Sequence, residues 1–481
     1  MVGDTLAENN QTKFPASAQD LNTDVLVEIF LRCSLGENED QDAFDINLPK
    51  PSIHSSPLIL GRVCRAWRHV SLSTPQLWSY LCIPESWNSP EGMAEWLKRS
   101  ASSPLTFGLF DKRHDDLLYR VDALNVLLAS AHRWKHVEVR ADIELISLFL
   151  HSVESGAPLL ETFRIRDYHN WTDDEDFLDC VELDLSIYPR LKSLHLPESV
   201  RVVLHHRNIV LDNLRNIWLG FLTVDGRGVI SMDEYLTLLA LCPNLEDASF
   251  AITGSSPLQR MGDVIERNIR KLCIFVPLGL NIGPFFDYIR LPHLVDLEIS
   301  DMTDETPRKF PWSHIMSFLR RSKASLIRLD LSWRFPANIL SDDDLLGILH
   351  LTPDIQQLFL HRLPVSDVLL QTFSQPSNHG KTSSCLWPKL VDISVVGGTF
   401  SEAAVKDMIL SPHRFEGAKS FEQLFLNDCG LKYAILFADE EIQKCIENGL
   451  SLEIEGYNHE RFLRPPVRVP HYFPTIRIPD Y

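Results

Sequence analysis

Positive charge is in short supply in this sequence: 46 lysines and arginines face 65 acidic residues, a formal charge of −19. That balance opposes tight contact with phosphate backbones and anionic lipid, so neither nucleic acid nor a membrane is an expected partner. Long apolar runs are missing as well. No window approaches the roughly 18 continuous apolar residues of a membrane span, and the first residues have neither the basic nor the apolar region of a secretory leader. The nine cysteines, at 33, 64, 82, 180, 242, 273, 385, 429 and 445, include no C-x-x-C pair and fall mostly inside apolar patterns. A disulfide framework is therefore excluded, and reduced thiols in the cytoplasm or nucleus are expected. Also absent are G-x-S-x-G, a glycine-rich phosphate loop and H-E-x-x-H. The carboxylate-rich stretch 171–184 lacks the central glycine of a calcium loop, and neither His205-His206 nor His114-Asp115-Asp116 has a second cluster at ligand spacing. The expectation is no catalytic residue, no metal, no cofactor and no enzyme.

What the sequence does contain is a repeat. HRWKHVEV, PLLETFRI, PRLKSLHL, DNLRNIWL, PNLEDASF, NIRKLCIF, PHLVDLEI, ASLIRLDL, PDIQQLFL, PKLVDISV and KSFEQLFL share one template, apolar-x-x-apolar-x-apolar. Its first positions are Trp134, Leu160, Leu191, Leu214, Leu245, Ile269, Leu294, Leu326, Ile355, Leu390 and Phe421, spaced 23 to 35 residues apart. GLSLEI, ending at Ile454, is a weaker twelfth unit. Helical stretches are expected between units, at 122–131, 233–241, 312–321, 341–349 and 401–410, with Ser341 and Ser401 as N-caps. One unit cannot bury its apolar side alone, so stacked units must form a parallel sheet with helices behind it. The last two apolar positions alternate with period 2 and point inward, which turns the residue between them outward. Arg164, His195, Trp218, Glu298, Asp330, Phe359 and Phe425 are thus candidate contacts for a protein substrate, the aromatics as anchors.

Ahead of the repeats lies a stretch with helical spacing. Leu26, Ile29, Phe30 and Cys33 follow Leu21-Asn22-Thr23-Asp24, and Gly36 ends that helix. A second helix is expected from Ser56 as N-cap and Pro57 as first residue, placing Leu60, Val63, Cys64 and Trp67 on one stripe with Arg62, Arg65 and Arg68 off it. A third starts at Thr74-Pro75 and buries Leu77, Trp78 and Leu81. So small a unit is near the limit of an independent core and needs a partner for its remaining apolar side.

LNTDVLVEIFLRC together with SPLILGRVCRAWRHVSLSTPQLWSYL resembles an F-box of the kind common in large fungal, basidiomycete-type families. The Val-Cys-Arg-x-Trp and Pro-x-Leu-Trp pair carries the resemblance, which covers residues 19–82. The repeats resemble leucine-rich repeats, irregularly spaced. Together they imply an α/β chain, a short all-α F-box followed by an irregular leucine-rich repeat solenoid with parallel strands inside and helices outside. The expected layout is a disordered 1–18, the F-box at 19–82 with an acidic loop at 34–55, a connecting segment at 83–104 with a helix at 91–100, the solenoid at 105–455 and a Pro-rich tail at 456–481. The implied function is substrate recognition in a Skp/cullin/F-box ubiquitin ligase. Leu21, Leu26, Ile29, Phe30, Leu60, Val63, Trp67 and Trp78 would serve the Skp-type adaptor, and through it a cullin/RING ligase, while the arc holds an unknown protein substrate. An F-box opens Leu-Pro and this one has Asn22 in second place. That residue and the long insertion favour the alternative, a leucine-rich repeat binding scaffold with a vestigial F-box. A third reading makes the helical unit a cap over the open end of the repeats.

Overall fold

The structure, a computed structural model, describes residues 21–35, 48–85, 87, 89–111, 117–153, 156–167, 181–197, 199–203, 209–220, 230–252, 262–276, 281–301, 312–333, 341–363, 365–374, 386–411 and 420–455. The segment 1–18, most of the acidic insertion, most of the carboxylate-rich stretch, both histidine clusters and the Pro-rich tail lie outside the described residues.

The chain is mixed α/β, with one large parallel sheet and no barrel. Its fourteen strands are β1 Tyr80–Ile83, β2 Leu105–Phe110, β3 Trp134–Ala141, β4 Thr162–Asp167, β5 Ser193–Leu196, β6 Asn216–Leu219, β7 Asp247–Ala251, β8 Lys271–Val276, β9 Asp296–Asp301, β10 Arg328–Trp333, β11 Gln357–His361, β12 Asp392–Val396, β13 Gln423–Asn427 and β14 Ser451–Glu455. Spatial order equals chain order, so each strand pairs with the next. All eleven full units of the template supply a strand, and the weak twelfth supplies β14. Two small parallel pairs, Val181–Asp184 with Val200–Val203 and Ile265–Glu266 with Ile289–Arg290, lie outside this sheet.

The template explains how each strand is held. Its first apolar residue closes a tight turn, as when the N–H groups of Leu160, Leu191, Leu214, Leu245 and Ile355 donate to carbonyls three residues back. All eleven first positions are buried. One residue later, the N–H groups of Glu161, Lys192, Arg215, Glu246, Arg270, Val295, Ile327, Gln356, Val391 and Glu422 each donate to the preceding unit at 2.7–2.9 Å. A continuous ladder therefore ties one unit to the next before the strand proper begins. The inward residues then stack in register: Leu297, Leu329, Leu358, Ile393 and Leu424 are partners across β9–β13, and none is more than 2% exposed. Burying each contributes about 2 kcal/mol relative to exposure.

Helices cover the inward side. Those expected from the sequence form at Leu117–Leu128, Met232–Leu241, Trp312–Ser322, Asp342–Leu349 and Glu402–Ile409. Ser341 and Ser401 cap theirs, Ser341 through a reciprocal pair with Asp344. Ile143–Ser152, Asp367–Ser374 and Glu440–Glu447 are helices that the spacing did not single out.

The N-terminal helical region departs from expectation in two places. Helix α1 spans Thr23–Leu35, but the helix expected from Ser56 does not form as one piece. The Ser56–Pro57 bond is cis, Leu60–Arg62 makes a single turn, and Cys64 is extended (φ −155°, ψ 174°). Its Sγ accepts the Trp67 N–H at 3.4 Å and caps a separate helix α2, Arg65–Ser73. That break separates the turn at Leu60–Arg62 from α2; Leu60 is buried while Val63, the last residue before the break, is exposed. The second departure is Leu81, which was expected on a helix after Pro75. Here the helix stops after one turn, Pro75–Trp78, and Tyr80–Ile83 becomes β1, paired with β2 from Tyr80↔Thr106 to Ile83↔Leu109.

The helical region is thus continuous with the sheet. Trp78 donates its indole N–H to the Ser71 carbonyl at 2.8 Å and packs edge-on against Trp96 of helix α3, Pro90–Arg99, at 4.9 Å. Arg99 lies over the same Trp78 ring, 4.5 Å from its centroid. Both regions belong to a single apolar core.

Candidate functional site

Two surfaces hold the residues singled out from the sequence. The first is on the helical region, where the structure divides the eight candidates. Leu26, Phe30, Leu60 and Trp78 are buried in the chain's own core, and half-buried Trp67 meets Phe30 edge-on at 4.9 Å. Leu21 and Ile29 are 37% exposed and Val63 is 59% exposed. On α1, Val25, Ile29 and Cys33 recur at i, i+4 and i+8 along the flank beside Leu26 and Phe30, so the helix is apolar over a wide arc and buries only part of it. Val25, Ile53, Ile59 and Leu72 are exposed too. Spacing could have found Val25, four residues before Ile29. Ile53 and Ile59 had no periodic signal.

The second surface is the outward side of the sheet. Glu138, Arg164, His195, Trp218, Ser249, Cys273, Glu298, Asp330, Phe359, Ser394, Phe425 and Glu453 are successive register partners from β3 to β14. All seven sequence candidates for this side therefore fall in one row. The five additional members occupy the same position of the template and were legible by the same rule.

The row has two polar stretches. Near its start, the Glu138 carboxylate lies 2.7 Å from Arg140 and 3.9 Å from buried Arg164, and His195 stacks on Trp218 at 5.5 Å. Burial, with Arg164 and Arg166 nearby, pushes the His195 imidazole down to about 3. Further along, Arg328 binds Asp296 at 3.0 Å and Asp330 at 2.7 Å, approaches Glu298 at 3.6 Å, and lies over the Phe359 ring at 4.8 Å. Burial raises the Glu298 carboxyl above its ordinary value, and the neighbouring Asp330 adds to the effect; burial raises Asp330 as well, against the pull of Arg328. A guanidinium that faces three carboxylates and an aromatic ring holds this part of the row rigidly.

One arrangement here has the outline of a relay. His361 Nε2 lies 3.1 Å from Ser394 Oγ, its Nδ1 lies 3.2 Å from Ser332 Oγ, and Ser332 donates to Asp330. Burial, reinforced by Arg328, pushes His361 down to about 4. The order differs from a nucleophilic triad, because a serine separates the imidazole from the carboxylate. Ser394 also sits in an interior strand paired on both sides, where the ladder consumes the backbone N–H groups that an oxyanion would need. Cys273, in the same row, has a thiol pushed well up by burial and by Glu298, the wrong direction for a nucleophile. Among the described residues no group of three or more His, Cys, Asp or Glu could hold a metal ion, and no helix is long and apolar enough to cross a membrane.

No family model matches the chain, and a search of the curated proteins also finds no match.

Proposed function

We propose that this chain is the substrate-recognition subunit of a Skp/cullin/F-box ubiquitin ligase. Its helical region is the F-box and docks on a Skp-type adaptor. The sheet is the inner side of an irregular leucine-rich repeat arc that holds a protein substrate. The mechanism is proximity: a substrate lysine held near a ubiquitin-loaded enzyme reacts at a raised effective concentration, with no catalytic residue from this chain. The observation that supports the reading best is the exposure of Val63, Ile29 and Leu21 within the segments that resemble the F-box. Aliphatic side chains held in water on short helices gain most from a partner that covers them.

The chain's attachment of Tyr80–Ile83 to β2 and of Trp78 to Trp96 favours a second reading, a binding scaffold whose helical unit only caps the first strand. Coexpression with a Skp-type adaptor, followed by size-exclusion chromatography with light scattering, separates the two. A receptor gives a one-to-one complex that Val63→Asp abolishes without lowering the melting temperature, since Val63 supports no core. If the unaltered chain elutes as a free monomer, or if Val63→Asp and Ile29→Asp both keep the complex intact, the adaptor assignment is wrong and the scaffold reading replaces it.

A further inference from the structure

The charge around the exposed aliphatics deepens the adaptor reading, on which it rests, by specifying the chemistry of the partner's surface. From Leu48 to Pro84 the sequence has Lys50, Arg62, Arg65 and Arg68 and no carboxylate, although the whole chain carries −19. On α2, Arg65, Arg68, His69 and Leu72 fall at i, i+3, i+4 and i+7, one exposed stripe opposite the buried Val70 and Ser71. Among the described residues neither Arg65 nor Arg68 makes an ion pair, whereas Arg328 on the sheet faces three carboxylates. Among the described residues, helix α2 thus presents cations without an ion-pair partner beside an exposed leucine.

A partner that covered Leu72 and Val63 with a purely apolar groove would strip water from these guanidinium groups and give nothing back, at a cost of several kcal/mol per buried charge. A cationic partner would add repulsion. We propose that the surface seated on this face is an apolar groove rimmed with carboxylates, in which the rim pairs with Arg65 and Arg68 while the groove takes the aliphatic side chains. The net negative charge of the chain as a whole then favours encounters in which an acidic partner meets this cationic face.

The test measures binding kinetics between the full chain and a purified Skp-type adaptor at low and high salt, for the unaltered chain, Arg65→Glu/Arg68→Glu and Arg65→Lys/Arg68→Lys. Both arginines are exposed, and melting curves check that each variant is folded. Expected are association slowed about tenfold by the glutamates, a smaller change in dissociation, little change with the lysines, and weakening by salt that the glutamate variant no longer shows. A complex that forms at the same rate in all three chains and at both salt concentrations would overturn the carboxylate rim while leaving the adaptor reading intact. No complex with the unaltered chain would overturn both. The salt dependence of the unaltered chain decides the matter even if a variant fails to fold.

Discussion

The helical region and the sheet use the same residue types to opposite ends. Of eleven exposed large hydrophobic residues among those described, seven lie between Leu21 and Leu72, and the other four, Val210, Val264, Val368 and Ile435, are scattered over the rest of the chain. In the sheet the second apolar residue of every full unit finds a register partner in the next unit, so repetition itself completes the burial. The helical region has no next unit. Four short helical pieces packed on one another and on α3 bury Leu26, Phe30, Leu77 and Trp78 and leave one flank of α1 in water. An apolar pattern therefore means stability where it repeats and an available surface where it does not.

The largest effect that would break this comparison is on stability. Leu358→Ala removes a side chain with no exposure between two register partners and is expected to cost about 3 kcal/mol. Leu72→Ala, an equal change in volume at an exposed site on α2, is expected to stay within about 0.5 kcal/mol. Urea unfolding of the two variants compares them directly, and equal losses would show that the helical region buries as much as the sheet.

That division also sets what could be read from the sequence. The strands were legible because a template repeated eleven times fixes which residue faces inward, and one rule placed seven separated residues in one row. The break at Cys64 was not legible. Leu60, Val63 and Trp67 keep helical spacing across it, and only the extended backbone of Cys64 shows that the phase is lost. The boundary at Leu81 was obscured for a related reason: Leu77, Trp78 and Leu81 fit a helix, yet parallel pairing with β2 outweighs that local preference. Exposure was hardest to foresee, since Ile29 and Phe30 are neighbours of similar polarity and only tertiary packing separates them.

A smaller effect sharpens the sheet's side of the comparison through pH. His361 is held down to about 4 while the unfolded chain keeps a value near 6.5. Its folded pKa is depressed, so the neutral ring contributes stability in full above pH 6.5, and that contribution is lost as the pH falls through about 4. Melting temperatures from neutral pH downward should therefore fall more steeply for the unaltered chain than for His361→Gln. Parallel curves would assign the acid loss to groups other than His361.

The smallest effect compares two helix caps. Ser341 Oγ accepts the Asp344 N–H at 3.1 Å, and the Asp344 carboxylate accepts from the Ser341 hydroxyl at 2.7 Å and from its backbone N–H at 3.5 Å. Cys64 caps α2 through sulfur at 3.4 Å, with no reciprocal partner described. Thiol sulfur is a weak acceptor, so Cys64→Ala is expected to cost only a few tenths of a kcal/mol against about 1 kcal/mol for Ser341→Ala. Cys64→Ser substitutes a stronger acceptor at the same place and should raise the melting temperature slightly. If it does, the weak cap is one cause of the helical region's looser hold on its own residues; if Cys64→Ser lowers it, the half-buried thiol serves packing instead, and the exposed aliphatics have to be explained by the missing next unit alone.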